Sequence, residues 1–169
     1  MSLGQRHMEC FASSLKGYFK HHKCALIVGL FFYAFLMSHP SHSLAAEQYA
    51  IFSLNNSFEQ MSISKARKLY RGKAKSLNGQ RFELADWPAE SQERGEFYRY
   101  LLGKNTAQMN AHWAALSFSG KARPPKEIQN SEVNSLIKWM EQKPNRIGYA
   151  PIEVIPSNAN VLFVVSEEN

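Results

Sequence analysis

A serine hydroxyl and an arginine fork set one helical turn apart at the mouth of a helix are residue types suited to holding an oxyanion. Ser91 and Arg94 have that spacing in the segment Asp86-Trp-Pro-Ala-Glu-Ser-Gln-Glu-Arg94. A loop that leaves a strand and enters a helix presents backbone N–H groups without intrahelical partners, and the helix dipole favours negative charge there. The Arg94 guanidinium can grip a carboxylate, phosphate or sulfate with parallel N–H donors. Asn55-Asn-Ser57, after an earlier strand, has the same form and adds Asn55 and Ser57 as candidate anion contacts. A purely local role fits the second segment equally well, with Ser91 as an N-cap and Arg94 paired to Glu90.

Catalytic chemistry has less to work with. A Ser–His–acid arrangement would have to use His112, which sits beside Trp113 on a helix flank, the usual setting of a structural histidine. The carboxylates Glu83, Asp86, Glu90, Glu93 and Glu96 read as a solvated helix face. No His-Glu-x-x-His, cysteine pair or aspartate cluster offers a metal site, and the sequence has neither a P-loop nor a G-x-G-x-x-G run. The expectation is a protein that is not an enzyme, with no catalytic residue, no metal and no cofactor.

The elements that would position these residues follow from periodicity and turn signals. Glu47–Leu54 alternates with β-prone residues and predicts an opening strand, closed by Asn55-Asn-Ser57. Lys65–Tyr70 predicts a short helix capped by Ser64 and stopped by Gly72. Asn78-Gly79 is a turn, and Gln80–Ala85 alternates as a second strand. Phe97, Tyr100 and Leu101 then recur at helical spacing up to Gly103. Asn105 or Thr106 caps a helix with Met109, Trp113 and Leu116 on one face, and Ser119–Pro125 is an exposed basic loop. Ser131–Met140 predicts another helix, burying Val133, Leu136, Ile137 and Met140. Pro144–Tyr149 turns into a short strand, and Val161–Val165 reads as a buried terminal strand. The order β-α-β-α-α-α-β-β describes an α/β domain in which a small sheet is covered by helices.

The first 46 residues differ in kind. Residues 1–23 are polar and basic, with Arg6, Lys16, Lys20 and Lys23 against Glu9. Cys24–Met37 is an uncharged apolar run of 14 residues, long enough for the core of a secretory signal but short of the ~20 that span a bilayer. Small residues at Ser43 and Ala45 suit signal peptidase, which places cleavage after Ala45 or Ala46; an uncleaved leader would instead tether the domain to the membrane. Residues 47–169, 123 in all, suffice for one modest core. They keep neither cysteine, only His112 of the six histidines, and 16 basic against 13 acidic residues, so the net charge falls from +6 to +3. That balance gives no case for nucleic acid as a partner.

Several motifs in order resemble phosphate-type periplasmic solute-binding proteins, in particular their short single-domain relatives. Ser64–Lys73 is similar to their short helix ending in an (I/L)-(F/Y)-x-G-K turn. Asp86, Ser91, Arg94 and Phe97-Tyr98 resemble a D-x-x-x-x-S-x-x-R-x-x-F-Y segment. Leu102-Gly-Lys104, His112-Trp113, Phe118–Lys121, Pro124-Pro125 and Ile147-Gly-Tyr149 follow collinearly across almost all of 48–165. The resemblance implies a single lobe of the type II periplasmic-binding-protein fold, a small mixed sheet covered by helices. It also implies a periplasmic location, inorganic phosphate or a similar anion as ligand, and an ABC permease or another envelope protein as partner. Ser91 and Arg94 lie where the longer proteins carry an arginine with a Ser-Gly-Thr cluster that grips phosphate. That Ser-Gly-Thr run is absent here, and Asp86 stands near the position of its arginine, where an acid would repel a dianion unless another cation offset it.

Two functions are therefore expected in competition. One is an exported solute-binding protein that contacts an oxyanion through Asn55, Ser57, Ser91 and Arg94. The other is a single-lobe envelope interaction or regulatory module that has lost ligand capture. Sequencing the exported protein from its amino terminus should read Ala46 or Glu47 first; a read beginning at Met1 or Met8 would mean that the leader is retained.

Overall fold

The computed structural model describes residues 47–168. The expected leader and its cleavage point, at 1–46, lie outside the described residues.

Uninterrupted apolar stretches make the centre of the sheet. Strand β1, Tyr49–Ser53, is buried at every residue, and Arg146–Pro151, the fourth strand β4, is buried at all but its last. Strands covered on both faces need such runs instead of an in–out alternation. Between them in the chain lie α1 (Ile63–Tyr70), β2 (Glu83–Asp86), α2 (Gln92–Leu102), α3 (Thr106–Phe118), β3 (Lys126–Glu127) and α4 (Val133–Glu141); β5 (Asn160–Val165) ends the fold. The sheet order is β3-β2-β4-β1-β5. Strand β2 is parallel to β3 and β4, whereas β1 is antiparallel to β4 and β5.

The expected α/β architecture, with a small mixed sheet and covering helices, is the one found. Three local expectations are corrected. Helix α1 is capped by Ser62, whose hydroxyl accepts from the Lys65 N–H at 3.4 Å, and not by Ser64. Starting there sets Ala66, Leu69 and Tyr70 on the buried face at helical spacing. Strand β3 went unanticipated because Lys126 and Glu127 are both exposed and follow two prolines; only pairing with Ala85 and Asp86 makes them a strand. Strand β5 is an edge strand in which only Leu162 and Val165 are buried.

The helix caps follow the sequence signals more closely. Asn105 and Gln108 form a reciprocal capping box on α3, and Gly103 ends α2 in the left-handed conformation at φ 63°. Gly72, after α1, is also left-handed at φ +67° and carries a second demand. A Cβ there would stand 2.7 Å from the Trp113 indole and 3.0 Å from Leu116, so glycine lets the end of α1 close onto α3. Gly72→Ala combines backbone strain with overpacking against a rigid ring, and should cost about 2–4 kcal/mol in urea unfolding. A loss within half a kcal/mol, on the order of an ordinary surface change, would show that α1 and α3 separate freely.

Candidate functional site

Strand β2 delivers Asp86 to the centre of the molecule, and the chain then turns through Trp87-Pro88 into α2. The Ser91 side chain caps α2 by accepting from the Arg94 N–H at 3.3 Å. That places the Arg94 side chain one turn in, 6% exposed and directed back at the strand it followed. Its Nε lies 3.2 Å from Asp86 Oδ2. The contact is an ion pair without hydrogen-bond alignment, because the buried Nε has no hydrogen-bond partner. Its Nη1 donates to the Trp87 carbonyl at 3.3 Å and to Glu127 at 3.4 Å, and its Nη2 donates to Asn110 Oδ1 at 2.7 Å. Arg94 therefore pairs with Asp86 and Glu127, and the local reading in which it pairs with Glu90 is corrected.

Asp86, 3% exposed, is as fully engaged. Its Oδ1 accepts from the Tyr149 hydroxyl at 2.5 Å and from the Trp87 N–H at 3.0 Å, and its Oδ2 accepts from the Tyr98 hydroxyl at 2.8 Å. Burial pushes its carboxyl up to about 6, against the Arg94 charge and the hydrogen bonds from Tyr149, Tyr98 and the Trp87 amide. The same burial, with the Asp86 charge beside them, holds the Tyr98, Tyr149 and Tyr70 hydroxyls well above the ordinary tyrosine range. Tyr149 stacks on Phe97 with ring centroids 3.5 Å apart and meets Tyr49, Tyr70, Trp87 and Tyr98 at steeper angles. The Trp87 indole N–H donates to the Tyr149 carbonyl at 2.9 Å, so the aromatic cage is itself tied to β4.

The four expected anion contacts fall into two separate pairs. Ser91 and Arg94 meet as cap and capped residue. Asn55 and Ser57 also meet: the Asn55 side-chain oxygen accepts from the Ser57 N–H at 2.8 Å and from its hydroxyl. Strand β1 runs antiparallel to β4, which is parallel to β2, so the end of β1 and the end of β2 lie at opposite ends of the sheet. Asn55 and Ser57 therefore do not converge with Ser91 and Arg94 on one anion. Nor does the Asn55 loop open a helix, since α1 begins only after Ser62. Glu127, Asn110, Tyr98 and Tyr149 complete the Arg94 and Asp86 surroundings without having stood out as site residues. The Phe97-Tyr98 and Ile147-Gly-Tyr149 motifs were the visible signal for two of them.

Comparison with known proteins bears on this arrangement through the fold. No family model and no curated protein matches the chain. Among solved structures, it is similar to a protein of Clostridium perfringens described as a phosphate ABC transporter substrate-binding protein, with phosphate bound. The TM-score is 0.52 at 14% identity, over 70% of this chain and 45% of that one. It is equally similar to an ABC-type phosphate transport receptor of Vibrio cholerae, with TM-score 0.52, 14% identity, and 70% and 47% of the two chains covered. The fold matches about half of a type II periplasmic binding protein, one lobe. The chain spans about half the length of each structure it matches. In this lobe the mouth of α2 holds an acid and a cation that neutralise each other.

Removing one partner of a buried pair leaves the other charge uncompensated, which costs about 3–5 kcal/mol. Arg94→Ala should lose about that much in urea unfolding at pH 8. Asp86 already binds its proton more tightly in the folded protein than its unfolded value of about 3.9 allows. Its ionisation therefore favours folding least above pH 6, and its protonation favours folding most below pH 4. Without Arg94 that imbalance grows, so the deficit of Arg94→Ala should shrink as pH falls from 8 to 5. A deficit independent of pH would mean that Asp86 is not the charge Arg94 compensates.

Proposed function

We propose that this protein is an exported single-lobe interaction module on a binding-protein fold, in which its own Asp86 carboxylate occupies the partner position of Arg94. The observation that carries this reading is that the protein's own groups enclose the Arg94 guanidinium. Asp86, the Trp87 carbonyl, Glu127 and Asn110 surround all three of its nitrogens. An entering oxyanion would have to displace a buried carboxylate and repay its lost ion pair. The Ser91 hydroxyl oxygen accepts the cap bond of α2, and Glu93 adds negative charge to the first turn of α2. The apolar leader pattern supports the periplasm or its membrane face as the place of action, with another envelope protein as partner.

A second reading keeps oxyanion capture, as in the phosphate-binding component of an ABC transporter, with phosphate or a related anion as ligand and a permease as partner. The bound phosphate of the similar Clostridium perfringens protein supports it. So does the Asp86 carboxyl, which takes up a proton near pH 6 and would then leave Arg94 with less negative charge to satisfy it.

Calorimetry separates the two. At pH 8 phosphate, sulfate and small carboxylates should give no heat of binding, and the protein isolated from the envelope should bring one stable protein partner with it. Stoichiometric phosphate binding that strengthens below pH 6 and disappears in Arg94→Ala would overturn the interaction reading in favour of capture.

A further inference from the structure

The cations that the Asp86 site leaves unused gather elsewhere. An open groove of about 1210 Å3 runs beside the β3 edge of the sheet, between the end of α1, the loop before β3 and the start of β2. Lys75, Arg81, Lys121, Arg123 and Lys126 line it, all five exposed, and none makes an ion pair among the described residues. The two acids in its wall are already matched. Glu83 is bound by Lys143 at 2.6 Å and Arg146 at 3.0 Å, which together hold its carboxyl below the usual range. Glu127 faces Arg94. The groove thus carries a surplus of unpaired positive charge on a domain whose overall charge is small.

We infer that this groove docks an acidic extended segment of a protein partner, laid along the free edge of β3. The inference rests on the interaction-module reading and gives that module its recognition surface. Three features select this occupant. The volume exceeds the ~300–1,000 Å3 of small-molecule pockets, and five dispersed cations suit a string of carboxylates better than one tetrahedral ion. Strand β3 pairs with β2 alone, so its outer edge offers backbone groups to which an extended chain can add. That edge is two residues long, carries Lys126 and follows Pro124-Pro125, features that discourage pairing with apolar strands. An acidic strand is the one for which Lys126 becomes an attraction. A nucleic-acid strand would need free aromatic faces for stacking. Of the three aromatic residues in the lining, Trp113 is 4% exposed, the Trp139 ring already carries the Arg146 guanidinium at 4.2 Å, and Phe82 is half-buried against the core.

Fluorescence anisotropy tests this on the protein purified in the form the cell leaves it. The probe is a labelled short peptide alternating glutamate with valine. The comparison probes are the same peptide with glutamine for glutamate and a single-stranded oligonucleotide of matched charge. The acidic peptide should bind, weaken as salt rises, and outbind both others. Lys121→Glu with Arg123→Glu should weaken it by about tenfold or more, whereas the charge-matched control Lys65→Glu with Lys68→Glu on α1 should change it by no more than about threefold. All four positions are exposed, and unchanged far-ultraviolet circular dichroism will establish that each variant folds. Absence of peptide binding, equal binding of the glutamine peptide, equal effects of the two reversals, or tighter binding of the oligonucleotide would each overturn the groove assignment. A native partner that co-purifies equally well with the groove reversal would leave the module reading standing and remove only this surface. Stoichiometric phosphate capture at pH 8 would remove the module reading whatever the peptide does.

Discussion

Taking a carboxylate and a guanidinium out of water costs several kcal/mol per ion, and their mutual attraction repays that only when the remaining donors and acceptors are also met. Asp86 and Arg94 impose this requirement at the centre of the lobe. Their satisfaction draws on five places in the chain: the Trp87 amide and carbonyl after β2, Tyr98 on α2, Asn110 on α3, Glu127 on β3 and Tyr149 on β4. Much of the packing around the β2 end of the sheet can be understood as the supply of these groups. The two-residue strand β3 has no apolar content to hold it, yet it sits where Glu127 reaches Arg94. The aromatic cage excludes water from the pair, and two of its rings also bring the hydroxyls that replace that water.

This arrangement separates the lobe's two charged regions by state. At the mouth of α2 the charges are buried, opposite and paired with each other. Along the β3 edge they are exposed, of one sign and unpaired. A buried ion pair resists exchange with a ligand, because any entering ion must first break contacts made in a low dielectric. Exposed unpaired cations cost little to present and remain available for a partner, with a reach set by salt screening. The two regions thus differ in what they offer: the pair at α2 holds the fold together, and the β3 edge presents free positive charge.

The individual elements were readable from local signals. The β-prone alternation of 47–54 and the turn into 144–149 predict strands, Asn105 or Thr106 predicts a helix cap, and Gly103 predicts the end of the helix before it. Ser62 and Ser64 are equally good caps by type; the burial of Ala66, Leu69 and Tyr70 together decides for Ser62. Strand β3 had no readable signal, since Lys126 and Glu127 have neither alternation nor β-prone side chains. The basic loop at 119–125 was visible as such, but Lys75 and Arg81, distant in the chain, join it only in the folded lobe.

For the candidate site the division is sharper. The residue types and the three-residue spacing of Ser91 and Arg94 were enough to place a cap and a cation at the start of α2, because helix geometry is local and repeats every few residues. Where that cation's charge goes was not local at all. Asp86, Asn110 and Glu127 lie 8, 16 and 33 residues from Arg94, and only the folding of β2, α3 and β3 around α2 brings them to it. Topology likewise sends Asn55 and Ser57 to the far end of the sheet, a separation no spacing along the chain records. The sequence by itself determined which groups could bind an anion; the tertiary structure decided that Arg94 is already matched by the protein's own carboxylates. The physical reason is that periodicity places side chains within an element, while desolvation and pairing depend on which elements meet.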